Sequence, residues 1–350
     1  MAPSHERHAA RFGLVITNVE TFPIRRTRRG SGFRYVDERT GRSPGRAWRA
    51  VIDPLAAPPG WKLVRCAADL DSHILVHGED EGGRRQYLYH PKWEAVRDAV
   101  KAERLLRFGR ALPRLRARVA KDLKRDRLDK RRVAAAAARL VDRGAMRPGN
   151  EVYALSEHRG ATTLIKENVV VRKDEIALDY VGKSGREHRF TVRDKAAARV
   201  LRGLKRMPAG RRGTRARLFR FRNGKGRTKR LTAAKLNAYL ARAAACEVSA
   251  KDFRTFTGSV AALRVLLAEA DAKGEARERA IAAAAEAASE RLRNTVAVAR
   301  ESYILPSLID DYRAGRLPPS LARSPSRAGL DRNETALMRH IEGRQRDPAT

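Results

Sequence analysis

Two cysteines in 350 residues, Cys66 and Cys246, are too few for a disulfide framework or a four-cysteine zinc site, and they fit a reducing cytoplasm. No run of 18 or more apolar residues occurs, so no membrane-spanning helix and no membrane partner are expected. The opening residues, Met-Ala-Pro-Ser-His-Glu-Arg, lack the apolar stretch of a secretory signal. The eight histidines show no His-x-x-x-His on a predicted helix, and there is no Cys-x-x-Cys, so no zinc or transition-metal site is expected. Carboxylates are scattered among basic residues, without a compact cluster for Mg²⁺. A Gly-x-Ser-x-Gly elbow is missing as well. Val181-Gly182-Lys183-Ser184 has the ending of a phosphate-binding loop, but the glycine required five residues earlier is Ala177, and no helix is predicted to follow. No cofactor, metal or nucleotide is therefore expected.

Negative charge is the other shortage. Asp plus Glu number 40 against 76 Lys plus Arg, a formal net charge of +36. Such an excess speaks about partners and solubility, and says little about fold. Nucleic acid is the commonest polyanion that balances it, because Lys and Arg displace condensed counterions along the phosphates. By charge alone, a ribosome- or nucleoid-associated binder fits as well as an enzyme.

The chain reads as α+β, with a small, mostly β N-terminal domain and a larger, mainly α-helical one that carries a short antiparallel sheet. Residues 1–20 show no period and read as a flexible basic arm. Residues 21–92 read as the β domain: two strands around a Gly turn from Ile24 to Tyr35, a rigid Pro58-Pro59-Gly60-Trp61 turn, then strands at Leu63–Cys66, Ile74–His77 and Arg85–His90. From Trp93 the period becomes helical (Trp93, Val96, Val100; Leu105, Phe108, Leu112). Residues 93–325 read as the second domain. It has a strong helix over Arg131–Arg143 with Gly144 as its C-cap, and strands at Thr162–Ile165, Asn168–Val171 and Glu175–Val181. A Gly182–Gly185 turn then leads to a strand at Arg186–Val192, and helices dominate from Asp194. Residues 326–350 read as a flexible tail.

Several stretches carry chemistry. Arg84-Arg85-Gln86-Tyr87-Leu88-Tyr89 interleaves cations, an amide and aromatics, and strand alternation sends Tyr87 and Tyr89 to one face and Gln86 to the other. Aromatics beside arginine can stack on sugars and bases while the guanidinium holds phosphate, although a hairpin with core tyrosines reads equally well. Arg147-Pro148-Gly149-Asn150 follows a helix end, where its turn would aim Arg147 in one direction. Lys183 stands at a predicted hairpin tip. Finally, Lys251-Asp252-Phe253-Arg254-Thr255 precedes Asn294-Thr295 and then Arg300-Glu301-Ser302-Tyr303-Ile304-Leu305-Pro306. A guanidinium, an amide and a possible nucleophile in this order suit attack by a tyrosine on a DNA phosphodiester.

Five stretches in order resemble the type IB DNA topoisomerases of the small poxvirus and bacterial kind, over roughly residues 24–316. They are Gly78-x-Asp80-x-x-Gly83-Arg84-x-Gln86-Tyr87-x-Tyr89-His90, Met146-Arg147-x-Gly149-Asn150, Gly182-Lys183 with His188, Lys251-Asp252-Phe253-Arg254-Thr255, and Asn294-Thr295 through Tyr303-Ile304 to Pro306. The resemblance implies two domains closing as a C-shaped clamp on double-stranded DNA, and a monomer at the nucleoid that relaxes positive and negative supercoils without ATP or metal. It implies Tyr303 as nucleophile, Arg147 and Arg254 as phosphate ligands, Lys183 as general acid and Asn294 in the place of a viral histidine. It further implies DNA contacts at Gln86, Tyr87, Tyr89, Tyr153 and Lys251.

The residue types suit that chemistry on their own terms. Charge grows on the non-bridging oxygens during attack, and two arginines stay charged there and present planar forks. A phenol, with a free pKa of about 10, ionises more readily beside such cations. The 5′-oxygen leaves poorly unless protonated, and a lysine can supply the proton. Asn294 can donate or accept a hydrogen bond but cannot shuttle a proton. On one unbroken helix the nine residues to Tyr303 would span roughly 13 Å and set the side chains on opposite faces. A break is therefore expected between them, at Thr295-Val296.

Phe256-Thr257 and Arg293 depart from the family pattern, where an aromatic followed by histidine or glycine, and a glycine, are usual. Tyrosine recombinases share the constellation but use His-x-x-Arg, and Lys251 in the first place argues against them. A recombinase would also need an exchanged helix beyond Pro306, and none is evident in the sequence. A non-enzymatic architectural DNA binder accounts for the charge but not for the ordered set.

Overall fold

In the computed structural model, residues 3–208, 217–327 and 329–346 are described. The fold is α+β, and the chain separates into two units, residues 1–103 and 104–350.

In the first unit an antiparallel five-stranded sheet has the order β2-β1-β3-β4-β5, from β1 (Ile24–Arg29), β2 (Gly32–Asp37), β3 (Lys62–Cys66), β4 (Ile74–Glu79) and β5 (Arg85–Tyr89). Helix α2 (Arg46–Ile52) covers it. Trp48 and Ile52 of α2 pack with Ile24, Val64, Cys66 and Val76, and Trp48 Nε1 donates to Ala67 O at 2.8 Å. The expected Pro58–Trp61 turn is anchored by buried Arg26, which donates to the carbonyls of Ala57, Pro58 and Trp61 at 2.7–2.9 Å. A segment expected to be a loose arm forms α1 (Pro3–Arg11) instead. Ala9 and Leu14 bury against Trp93 and Val96, and Glu103 binds Arg7 and His8, each at 2.7 Å. These tertiary contacts, not local propensity, order the segment. They also place the division of the chain inside α3 (Trp93–Leu123), beyond the change of period at Trp93.

The second unit is built on α4 (Lys130–Gly144), whose Ala134–Ala138 run is buried to 1% exposure or less. Small side chains let several neighbours approach one helix closely. Asp129 caps α4 by accepting from Arg132 N at 2.9 Å. The left-handed residue that ends it is Ala145, not Gly144. Beside it stand α5 (Glu151–Leu155), the sheet β6-β7-β8 (Val169–Arg172, Glu175–Val181, Glu187–Arg193) and α6 (Lys195–Arg206). Then come a hairpin of β9 (Arg220–Arg222) and β10 (Thr228–Arg230), α7 (Ala233–Ala244), α8 (Ala250–Ala268) and α9 (Gly274–Leu292). The core here includes Phe108 of α3 against Phe253 and Phe256 of α8, edge to face at 4.9 and 5.4 Å. The first of the four strands expected here, at Thr162–Ile165, is absent. Ala161–Thr163 is a 3-10 turn, because Thr162 and Thr163 spend their hydroxyls on nearby backbone.

Beyond α10 (Val296–Tyr303), the chain continues through α11 (Pro306–Arg313) to α12 (Arg332–Arg346). No helix of the exchanged kind was evident in the sequence after Pro306, and most of the expected loose tail is α12. Ala336, Leu337, Met338 and Ile341 are buried, and a Cβ on Gly109 of α3 would fall 2.0 Å from the Met338 sulfur. Arg116 binds both Asp142 and Glu334 at 2.8 Å, tying α3 to α4 and α12.

Candidate active site

Three successive carbonyls at the end of α4 each accept from an arginine. Arg143 O takes Arg291 Nη2 at 2.8 Å, Gly144 O takes Arg293 Nη2 at 2.5 Å, and Ala145 O takes Arg254 Nη1. Those carbonyls lack intrahelical partners and form the negative end of the helix dipole, which favours cations. Ala145 then turns the chain out at φ 49° into the loop that carries Arg147. Ala161 N donates to Arg147 O at 2.9 Å, and the Thr162 amide and hydroxyl both donate to Pro148 O at 2.8 Å. Gly149 sits at φ +95°, and a Cβ on Gly160 would lie 2.5 Å from Gly149 N, so only glycine allows these two segments to meet.

Asn294 comes to the same loop from α9. Arg293 N donates to Glu290 O and Asn294 N to Ser289 O, at 3.2 and 3.0 Å, which is a Schellman turn with Arg293 in the left-handed position at φ 55°, ψ 50°. A non-glycine residue there costs roughly 1–2 kcal/mol. Thr295 caps α10, accepting from Val298 N at 3.2 Å. The break between Asn294 and Tyr303 is thus real, and it lies slightly before the expected Thr295-Val296. Asn294 is 5% exposed, and its Oδ1 accepts from Arg147 Nη2 at 2.7 Å. Its Nδ2 is buried without a partner among the described residues, a donor left free beside Arg147.

Arg254, on α8, is 2% exposed. Besides Ala145 O it donates to Leu292 O at 3.2 Å, and its Cζ lies 4.7 Å from the Tyr303 ring centre. Burial and the charge of Arg147 lower its pKa, while Tyr303 opposes them. Tyr303 ends α10, where Ser259 fixes the chain. The Ser259 hydroxyl accepts from Leu305 N at 3.0 Å and donates to Tyr303 O at 3.4 Å, and a Cβ on Gly258 would fall 2.6 Å from Tyr303 O. Burial alone would raise the Tyr303 phenol. The charges and hydrogen bonds of Arg254 and then Arg147 outweigh it and hold the pKa below the usual tyrosine range.

Lys183 sits in the tip between β7 and β8, where Gly182 N bonds Arg186 O at 2.7 Å and Ser184 and Gly185 take positive φ. It is exposed and lines one cleft with Arg147, Arg254, Arg293 and His188. Among the described residues, no group of three His, Cys, Asp or Glu is placed to hold a metal ion.

The other expected DNA contacts are more dispersed. On β5, Tyr87 and Tyr89 are exposed with rings 6.4 Å apart, and Tyr89 stacks on Trp93 at 6.2 Å. Gln86 faces the other way and donates to Asp80 Oδ2 at 2.8 Å. Lys251 is exposed in the first turn of α8. Tyr153 belongs to α5, and its side chain lies outside the described residues.

A family described as eukaryotic DNA topoisomerase I, catalytic core, matches residues 90–303, well over half of the chain. The chain belongs to this family, the type IB DNA topoisomerases. It is 28% identical over 271 residues to DNA topoisomerase 1B of Acanthamoeba polyphaga mimivirus, covering 75% of this chain and 79% of that protein. As a type IB topoisomerase it is an enzyme that acts on DNA. No helix among the described residues is long and apolar enough to cross a membrane.

Several parts of this topoisomerase core escaped the reading of the sequence. Tyr180 and His188 stack at 4.9 Å in the cleft wall, and burial, then Arg293, Arg147 and Arg254, push His188 down to about 4. Gly182 packs on His188, which explains the Gly-Lys spacing to that histidine: a Cβ there would stand 2.3 Å from its Nε2. Gly258 and Ser259 follow Phe256-Thr257 directly, a signal that was available in the sequence. Ala145 gave none, since alanine rarely takes a left-handed turn.

Proposed function

We propose that this topoisomerase relaxes positively and negatively supercoiled duplex DNA as a monomer, through transient cleavage of one strand and a 3′-phosphotyrosyl intermediate, with neither ATP nor metal. The observation that carries this reading is the meeting of Arg147, Arg254 and Asn294 at Tyr303. Two guanidiniums lower the phenol, and one of them orients an amide whose Nδ2 has no partner among the described residues.

The phenol oxygen of Tyr303 attacks phosphorus and its proton passes to water. The Tyr303 oxygen–phosphorus bond forms as the bond from phosphorus to the 5′-oxygen breaks. Arg147, Arg254 and the Asn294 Nδ2 hold the non-bridging oxygens, where charge accumulates. Lys183, on its hairpin tip, donates the proton that the departing 5′-oxygen takes up. The free 5′-hydroxyl strand then swivels, and the same steps in reverse reseal it. The phosphotyrosyl ester conserves the energy of the broken bond, so resealing needs no nucleotide. Tyr87 and Tyr89, exposed on β5 beside Arg84 and Arg85, suit a sugar–phosphate track, and the Gln86, Tyr153 and Lys251 contacts are proposed with them.

Denaturant trapping of the enzyme on a labelled duplex, followed by peptide mass mapping, tests this reading. The expected product is a 3′-phosphate on Tyr303. An adduct on another tyrosine such as Tyr312, or on the 5′ side of the break, contradicts it.

A further inference from the structure

We propose that Arg293 is a positioning residue for the Lys183 hairpin: its guanidinium clamps Phe190 of β8 to the C-terminal end of α4 and so sets where the proton donor stands relative to Arg147 and Arg254. The proposal rests on the reading of Lys183 as general acid.

Arg293 occupies the left-handed place of a Schellman turn, which glycine fills with the least strain, so its side chain must repay the choice. That side chain reaches three elements at once. Its Cζ lies 3.6 Å from the centre of the Phe190 ring, its Nη2 donates to Gly144 O at 2.5 Å, and its Nη1 to Arg291 O at 3.4 Å. A guanidinium over an aromatic face is attracted by the ring and stacks on it. Gly144 completes the fit: a Cβ there would stand 2.8 Å from Phe190 Cε2, so glycine is what admits the ring beneath the guanidinium. Phe190 belongs to the strand that follows the Lys183 tip and pairs with Leu178 across the hairpin. Among the described residues no side-chain hydrogen bond or ion pair holds Lys183 itself, and Ser184 and Gly185 beside it take turn conformations. The lysine therefore stands where the hairpin places it, and Arg293 joins that hairpin to α4, from whose end Arg147 leaves.

Asn294 and Arg147 do not depend on this side chain. The Schellman bonds that aim Asn294 are backbone bonds, which glycine at 293 keeps, and Arg147 is bonded to Asn294 directly. Loss of Arg293 should thus harm departure of the 5′-oxygen and spare stabilisation of the non-bridging oxygens.

Single-turnover cleavage by Arg293→Gly on two duplexes separates these effects. One is ordinary, and the other has sulfur in place of the bridging 5′-oxygen at the cleavage position. A thiolate leaves without a proton, since thiols ionise near pKa about 8.5. Arg293→Gly is expected to cleave the ordinary duplex about 10–100-fold more slowly than the wild type, the order of loss a misplaced catalytic group brings. On the sulfur duplex it should fall within about threefold of wild type, because no acid is needed there. Duplex affinity and thermal midpoint should hold, and Arg293→Lys, which keeps a cation on Phe190, should recover part of the loss. A wild-type rate on the ordinary duplex, or equal losses on both duplexes, overturns the proposal. Lys183→Ala is run alongside. If its own loss is equal on the two duplexes, the assignment of Lys183 as the acid falls, and the Arg293 proposal falls with it. A wild-type enzyme that cleaves neither duplex contradicts the proposed function itself.

Discussion

In the proposed reaction, the side chains around Tyr303 divide into those that carry charge to the phosphate and those that aim them. The role proposed for Asn294 is a single hydrogen bond to the phosphate, so Asn294→Ala should slow single-turnover cleavage by about 10²–10³-fold, the usual loss for one oxyanion donor. Asn294→His should recover much of that, since an imidazole N–H can occupy the same place. An Asn294→Ala enzyme as fast as wild type would show that the free Nδ2 touches no phosphate. His188 gives a prediction of a different kind. Burial and the charges of four arginines push it down to about 4, so the folded chain keeps it neutral while the unfolded chain, near pKa 6.5, takes up a proton. Stability from this group is full above pH 6.5 and is lost as pH falls from there toward 4. His188→Phe, which keeps a ring against Tyr180, should therefore show a smaller drop in thermal midpoint over that window. Parallel curves for the two proteins would remove His188 as a cause. The charged residues of the cleft were legible in the sequence because phosphoryl chemistry restricts their types. The residues that aim them were not. Arg293 looked like a departure from a pattern, and its partners Gly144 and Phe190 lie 149 and 103 positions away along the chain, where no local period connects them.

Elements were legible where burial is one-sided and local. β7 alternates buried and exposed residues along its length, and Lys183 follows at its turn. The Ala134–Ala138 run gave α4, and the unfavourable geometry of a continuous helix gave the break before α10. The ends of the chain were misread for one reason: their order comes from tertiary partners. α1 is held by Trp93, Val96 and Glu103, and α12 hides Leu337 and Ile341, spaced one turn apart, within a strongly basic segment. The hydroxyls of Thr162 and Thr163 similarly turned an apparent strand into a support for the Arg147 loop. If α12 is an integral layer, Leu337→Ala, at a site with 0% exposure, should lower unfolding stability by about 2–5 kcal/mol. Denaturant titration measures it, and a change of only a few tenths would return residues 332–346 to the status of a tail.

At the scale of the whole molecule, a net charge of +36 accounts for attraction to DNA and for none of the proposed chemistry, which assigns roles to five residues drawn from four separate parts of residues 147–303. The proposed function requires those five to act together on a phosphodiester without outside energy. Relaxation of negatively and positively supercoiled plasmid by the purified chain, in EDTA and without ATP, with Tyr303→Phe beside it, tests that most directly. The wild type is expected to relax both plasmids and Tyr303→Phe to bind them but relax neither, because only the hydroxyl makes the covalent link. Relaxation that requires Mg²⁺ or ATP, or that survives in Tyr303→Phe, would contradict the account.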